Sequence, residues 1–585
     1  MTHYRSYLTW LNNSYIDEGT KEDLRQIQDN EKEIEERFYK DLEFGTAGLR
    51  GIIGAGTNRM NKYTVRRATE GLADYIKSKG QEAKDRGVVI AYDSRRMSRE
   101  FSEEAALVLG ANGIKVYLFK DLRATPQLSF AIRYLNCIAG IVVTASHNPP
   151  EYNGYKVYWE DGAQIAADKA KAIIESIDKV NDLGSISVLE REDALNKGLL
   201  VYLDEDVDDK YIEEVKKQSL RGDIVKKAAN DFKVVFTPLH GTGNVPVRRV
   251  LREIGFKNVF VVPEQELPDS EFSTVDYPNP EDKKAFELAI DLAKEKEAHL
   301  IIGTDPDCDR VGAVVKDRNG EYVLLTGNQT GALLVEYILN ALQENKRLPG
   351  NGVIIKTIVT SEVGTSIAKD YGVEMLNVLT GFKYIGEKIK EFEETGDQRF
   401  LFGYEESYGY LAGTHARDKD AVVASMLICE MAAYYYSKGM TLYEALMELY
   451  HKYGYFIEGV RSITLKGKEG LEKIGNIMEY FRKNPPESIA DSKILCLEDY
   501  EAQHRVYIDN SKSAEKIKLP KSNVIKFILE NDGWICLRPS GTEPKLKIYG
   551  EFKGNSLKEG RDILTKSINW VETIINNSGS DPELL

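Results

Sequence analysis

The sequence predicts an α/β protein of several domains that ends in a separate α+β module, and three observations predict it. Short apolar runs alternate with amphipathic helical stretches through most of the chain. A length of 585 residues exceeds what one hydrophobic core can serve, so about three to five domains are expected. Past Tyr450 the periodicity changes.

The alternation is clearest where strand, helix and strand follow at short intervals. Gly87 to Tyr92 reads as a buried strand, Ser98 to Ala111 as an amphipathic helix, and Gly113 to Phe119 as the next strand. The unit recurs at Lys233–Thr237, Val245–Ile254 and Val259–Val262, and again at Val353–Val359, Ser361–Asp370 and Val373–Val378. A helical stretch spans about Tyr435 to Tyr450, and Gly467–Gly470 is expected to break the chain. From Phe456 onward the sequence reads as the α+β module. No low-complexity linker separates the parts.

Composition bounds the function. Hydrophobic residues at 42% against charged residues at 29% give a globular, water-compatible balance. The net charge of −15 excludes a general nucleic-acid binder, which needs a basic surplus to neutralise phosphates. The five cysteines (Cys137, Cys308, Cys429, Cys496 and Cys536) are scattered and include no C-x-x-C pair, so neither a zinc site nor a disulfide framework is expected. The first thirty residues lack the apolar core of a signal peptide, and no run reaches the ~20 apolar residues of a membrane span. A reducing cytoplasm is the expected compartment.

Unusual residues cluster where apolar runs end, which in open α/β sheets is where ligands gather. Ile138–Val143 leads into Thr144-Ala145-Ser146-His147-Asn148-Pro149. Leu300–Gly303 leads into Thr304-Asp305-Pro306-Asp307-Cys308-Asp309-Arg310, and Phe400–Phe402 into Gly403-Tyr404-Glu405-Glu406-Ser407. Asp305, Asp307 and Asp309 alternate, which in an extended turn points three carboxylates one way and suits a hard cation. Mg²⁺ and Ca²⁺ are not separable on this pattern, and a solvated acidic turn is the plain alternative. Ser146 is either a turn residue or a nucleophile, with His147 and Lys156 nearby as proton carriers. No G-x-S-x-G elbow surrounds it, which disfavours acyl chemistry. Arg538-Pro539-Ser540-Gly541-Thr542-Glu543-Pro544 is either a surface turn or a phosphate clamp of forked guanidinium, hydroxyls and backbone amides. Glu405, Glu406 and Ser407 suit either sugar hydroxyls or solvent.

The four loops occur in an order that resembles the α-D-phosphohexomutase superfamily, in its phosphoglucomutase-2-type branch with bacterial α-phosphoglucomutases and phosphopentomutases. Phe44-Gly45-Thr46-Ala47-Gly48-Leu49-Arg50-Gly51 and Gly381-Phe382-Lys383 extend the match over nearly the whole chain. The resemblance implies an α/β, four-domain, heart-shaped phosphohexomutase with three related α/β domains and a C-terminal α+β domain. The boundaries expected are 1–205, 206–322, 323–455 and 456–585. Carried over by position, Ser146 is the phosphoserine and, through its phosphate, a metal ligand with Asp305, Asp307 and Asp309. Arg50 and Arg310 lie near the phosphoserine, and Gly381, Glu405, Ser407 and Arg417 face the substrate. Arg538, Ser540, Gly541 and Thr542 grip the phosphate that is not being transferred.

The expected cofactors are Mg²⁺ and glucose 1,6-bisphosphate, the latter as activator and intermediate. The expected reaction interconverts glucose 1-phosphate and glucose 6-phosphate. A phosphopentomutase acting on ribose or deoxyribose phosphates is the alternative, and a metal-dependent sugar phosphatase a distant one. Three aspartates and a phosphoserine dianion outweigh one divalent cation, so Arg50, Arg310, Lys156 and Lys383 are needed as further cations. Lys156 or His147 is the expected base, with Lys383 third. The partner is a small phosphosugar, with no nucleic acid or membrane, and the enzyme is a monomer or weak homodimer. Two departures from the family pattern stand out: Cys308 replaces a common Ala in the metal loop, and Tyr404 precedes Glu405.

Overall fold

A computed structural model describes residues 2–45, 47–465, 467–508, 513–540 and 545–577. The chain divides into two compact units. Met1–Thr330, Ile385–Gly403 and Ser407–Leu442 form the first; Gly331–Tyr384, Tyr404–Glu406 and Tyr443–Leu585 form the second.

The first unit holds two mixed sheets. In one, the parallel strands Leu200–Leu203, Val116–Phe119, Val88–Tyr92 and Ala139–Val143 are followed by the antiparallel Tyr152–Trp159 and Gly48–Ile52. Val88–Tyr92 and Ala139–Val143 are buried at every position, as central strands covered on both faces must be. The other sheet runs Asn258–Val261, Lys233–Thr237 and Leu300–Thr304 in parallel, then Val311–Lys316 and Tyr322–Leu324 antiparallel. The helix Ser98–Ala111 has the bounds the sequence predicts, and Asn244–Ile254 begins one residue earlier than expected.

Ahead of these sheets, three short helices between Thr2 and Phe38 close a small core of their own. Tyr7, Trp10, Leu24, Ile34 and Phe38 pack there against Tyr63.

The second unit contains the parallel pair Gly352–Thr357 and Glu374–Val378 and an antiparallel sheet of eight strands. One face of that sheet buries Phe527, Ile535, Leu537 and Ile548 against the helices Gly467–Lys483 and Leu557–Asn577. Alternate residues put Lys526, Trp534, Cys536 and Tyr549 on the other face.

Three expectations change. The helical stretch near Tyr435 is two helices, Ala421–Ser437 and Leu442–Tyr453, because Gly439 at φ 75 turns the chain between them. Gly467–Gly470 opens a helix of 17 residues in place of breaking the chain; burial of Ile474, Ile477, Met478 and Phe481 outweighs the entropy cost of the glycines. Glu405 ends the strand Arg399–Glu405, so it is a strand residue and not part of the following loop.

Candidate active site

Two strand ends of the first unit supply the site. Ala139–Val143 runs into Thr144 and Ser146, and Leu300–Thr304 runs into Asp305. Ser146 is 3% exposed at φ 53, a left-handed conformation that costs a non-glycine residue about 1–3 kcal/mol unless its surroundings hold it. Here they do. The Ser146 amide donates to Thr144 Oγ1 at 2.8 Å, and Thr144 Oγ1 donates to Asp93 Oδ2 at 2.6 Å. The buried Arg95 guanidinium donates to four carbonyls of the loop, those of Ser146, Asn148, Pro149 (2.8 Å) and Tyr152 (3.2 Å).

The metal loop turns tightly, with Cys308 at φ 53, and Asp305 Oδ1 closes it by accepting from the amides of Asp309 (3.1 Å) and Arg310 (3.0 Å). The Ser146 hydroxyl donates to Asp305 Oδ2 at 2.7 Å, and His147 Nδ1 lies 3.3 Å from the same hydroxyl. Lys156 Nζ pairs with Asp307 Oδ2 at 2.9 Å, and Thr125 Oγ1 donates to that oxygen at 3.0 Å. Lys419 Nζ pairs with Asp309 Oδ2 at 3.1 Å and with Asp418 at 3.2 Å.

These contacts use one oxygen each of Asp307 and Asp309. The other two, Asp307 Oδ1 and Asp309 Oδ1, are buried without a hydrogen-bond partner. One oxygen from each of the three carboxylates falls within 4.8 Å of the others. Buried carboxylate oxygens left unsatisfied are costly. An all-oxygen set of this kind fits a hard divalent cation.

The electrostatics agree. Burial and the charges of Asp307 and Asp309 push the Asp305 carboxyl well above its usual range. Burial would raise Asp307 as well, but the Lys156 ammonium beside it brings it well below. Burial, with the charges of Arg310 and Arg50, holds His147 neutral at ordinary pH.

Arg50 donates to Asn148 Oδ1 at 3.2 Å. Arg310 pairs with Glu281 at 2.6 Å, and its backbone bridges to Gly409 while Val311 N donates to Tyr408 O, which anchors Ser407's segment beside the metal loop. The Arg417 side chain is 2% exposed and engages Glu393 and the carbonyls of Thr414 and Ala416.

The remaining candidates belong to the second unit. Glu405 is buried, and Glu406 accepts from Thr357 (3.1 Å) and Thr360 (3.4 Å). Gly381 has φ 120 and precedes the helix Phe382–Thr395, where Lys383 lies 5.1 Å from the Tyr384 ring centre. Arg538 Nη1 donates to Tyr549 Oη at 3.5 Å, and Ser540 N donates to Lys545 O at 2.7 Å. Gly541 and Thr542 lie outside the described residues.

Both sequence departures resolve into packing. The Tyr404 ring is fully buried over Gly331 and Gly364, where an added Cβ would stand 2.3 and 2.1 Å from its atoms. Cys308 is buried beside Gly243, and burial pushes its thiol well above the usual range.

Sequence reasoning missed Arg95, Thr125 and Lys419. Arg95 follows the carboxyl end of a buried strand, Val88–Tyr92, the same positional signal that flagged Ser146. Lys419 lies two residues past Arg417. Thr125 opens a helix and carried no signal.

Models of the phosphoglucomutase/phosphomannomutase family match the chain in four places. The α/β/α domain I covers residues 41–183, domain II 209–320, domain III 326–453 and the C-terminal domain 501–562. The chain is 42% identical over 515 residues to a phosphoglucomutase of Staphylococcus haemolyticus, covering 88% of this chain and 91% of the relative. To a Staphylococcus epidermidis phosphoglucomutase it is 40% identical over 556 residues, covering 95% and 97%. Its fold is similar to the open form of parafusin (pp63), a phosphoglucomutase of Paramecium, with a TM-score of 0.65, 19% identity and coverage of 92% and 96%.

Proposed function

The chain belongs to the phosphoglucomutase/phosphomannomutase family, and on that premise we propose that it interconverts glucose 1-phosphate and glucose 6-phosphate through phospho-Ser146. The observation that carries this is the Ser146 hydroxyl set 2.7 Å from Asp305, inside a cluster whose two unsatisfied carboxylate oxygens await a cation. The relatives named phosphoglucomutase support glucose as the sugar.

Asp305, Asp307 and Asp309, with the serine-borne phosphate, would hold Mg²⁺. When bound, it supplies positive charge against the transferring phosphoryl group. In the first half of the cycle the free hydroxyl of the sugar phosphate attacks phosphorus; the bond to Ser146 Oγ breaks and a phosphate ester to the sugar forms. The hydroxyl proton needs an acceptor. Neutral His147, 3.3 Å from Ser146 Oγ, suits that role and returns the proton to the departing serine oxygen, which restores the Ser146 hydroxyl; Lys156 and Lys419 are ion-paired and act as fixed charge. Glucose 1,6-bisphosphate then turns over and returns its other phosphate to Ser146, while Arg538 and Ser540 hold the phosphate at rest.

We place the domain boundaries at 205/206, 322/323 and 455/456, and the enzyme in the cytoplasm, a reading that five free, buried cysteines support. The deciding experiment compares kcat/KM for the 1-phosphates of glucose, mannose, glucosamine and ribose. Glucose 1-phosphate should lead, and a larger value for ribose 1-phosphate would replace this reading with a phosphopentomutase.

A further inference from the structure

The second unit contains a cavity of about 520 Å³ that none of the substrate loops lines. That volume falls in the range of small-molecule sites, roughly 300–1,000 Å³. Its floor is the non-helical face of the eight-stranded sheet, where cross-strand pairing sets Lys526 opposite Glu498 and Glu498 opposite Arg505. Its wall is the turn that follows Gly352–Thr357, including Ile358 and Glu362.

We propose that this cavity is a regulatory site for a small phosphorylated metabolite, held by Lys526, Arg505, Lys516 and Lys518.

The charge balance points to an anion. The walls carry four cations, Arg505, Lys516, Lys518 and Lys526, against three acids, Glu362, Glu498 and Glu515; Arg505 is shared by Glu498 (Nε at 2.9 Å) and Glu515 (3.4 Å), and Glu362 is also met by Lys356 at 2.9 Å. Lys516 and Lys518 have no acidic partner among the described residues. Lys526 is 4% exposed; its ammonium donates to Ile358 O at 2.7 Å, lies 4.3 Å from the Trp534 ring centre and stands 3.9 Å from Glu362 Oε1. Burial lowers its pKa and the Glu362 charge offsets this only in part, so a further negative charge beside the ammonium is favourable. Ile517, Leu519 and Ile528 add apolar wall for a carbon skeleton.

Position makes the site regulatory. Thr357, the last residue of the strand Gly352–Thr357, and Thr360 in the wall turn donate their hydroxyls to Glu406, next to the proposed sugar-binding residue Glu405. Lys526 pairs across the sheet with Cys536, two residues before Arg538 on the same strand. A ligand that pulls on Lys526 and the turn therefore acts on both second-unit elements that the proposed reaction uses, without touching either.

The test titrates fructose 1,6-bisphosphate, 3-phosphoglycerate and adenosine monophosphate by calorimetry into three proteins: wild type, Arg538→Ala and Lys516→Glu/Lys518→Glu. Both lysines of the double variant are exposed, so its fold should hold. At least one probe should bind wild type and Arg538→Ala alike at one site per chain. It should weaken by about tenfold or more in the charge-reversed protein, and shift the wild-type KM for glucose 1-phosphate. Failure of all three probes on Arg538→Ala, or equal binding by the charge-reversed protein, overturns the site. Binding without a change in KM overturns its regulatory role.

Discussion

Ser146 donates its hydroxyl to Asp305 at 2.7 Å although 159 residues separate them. The contact joins a strand end of one sheet to a strand end of another. It places the proposed phosphate carrier directly on the proposed metal loop. Replacing Ser146 by Ala removes one hydrogen bond, worth about 1 kcal/mol, from a loop that Arg95 still holds. The variant should therefore keep nearly the wild-type melting temperature and lose almost all mutase activity. Intact-mass and peptide analysis of active enzyme should find one phosphate, on Ser146; full activity in the alanine variant would refute the role.

Removal of divalent ions should stop turnover, and Mg²⁺ should restore it better than Ca²⁺, whose longer and looser coordination suits a compact phosphate-bearing site less well. Binding to the native state alone also stabilises it, by about 2.7 kcal/mol at a hundred times Kd. Mg²⁺ should therefore raise the wild-type melting temperature. Asp307→Asn, which spoils one of the two unsatisfied oxygens, should blunt that rise. An unchanged rate after chelation would remove the metal from the reaction.

Arg95 spends its guanidinium on backbone carbonyls of the serine loop, and its charge is balanced by Asp93 at 3.3 Å. Arg95→Met breaks a buried pair and leaves Asp93 without its cation. The loss should be on the order of 3–5 kcal/mol. Arg95→Lys should recover little, because an ammonium lacks the fork that reaches several carbonyls at once. Thermal denaturation of both variants, with the Ser146 phosphorylation level measured alongside, checks this.

Arg538 and Lys156 should separate in kinetics with glucose 1,6-bisphosphate saturating. Arg538→Ala should raise KM by about 2–3 kcal/mol, the worth of a charged hydrogen-bonded pair to a resting phosphate. Lys156→Ala should act mainly on kcat, since its ammonium sits on Asp307 beside the transferring group. Unaltered KM and kcat in Arg538→Ala would leave that loop a turn and nothing more.

Glu551 provides a pH test of stability. It is fully buried, accepts from Glu362 N (2.9 Å) and Trp534 Nε1 (3.1 Å), and burial pushes its pKa up to about 7 from 4.5. A raised folded-state pKa means that its stabilising contribution is whole below pH 4.5 and lost as pH rises through 7. The full loss is about 3 kcal/mol. Glu551→Gln cannot titrate, so between pH 5 and pH 8 its stability should gain on wild type by that order. Denaturant titrations at both pH values measure the gap; a constant gap would show that Glu551 does not titrate in this range.

Much of this protein was legible before any fold was known. The strand–helix alternation identified the α/β layers because burial periodicity is a local property of the chain. The loops at Ser146, Asp305–Asp309 and Arg538 stood out because each concentrates polar groups where an apolar run stops. Their order along the chain pointed to the four-domain phosphohexomutase fold that the family matches bear out. What the sequence could not decide was which groups meet, because that depends on contacts between segments far apart in the chain. Thr125 reaches Asp307 across 182 residues, and Arg95 holds a loop some fifty residues away. Arg417, which the resemblance placed facing the substrate, bonds Glu393, while Lys419 two residues on reaches Asp309. Neighbouring side chains on one segment point in different directions, and only tertiary packing determines which of them faces the carboxylates.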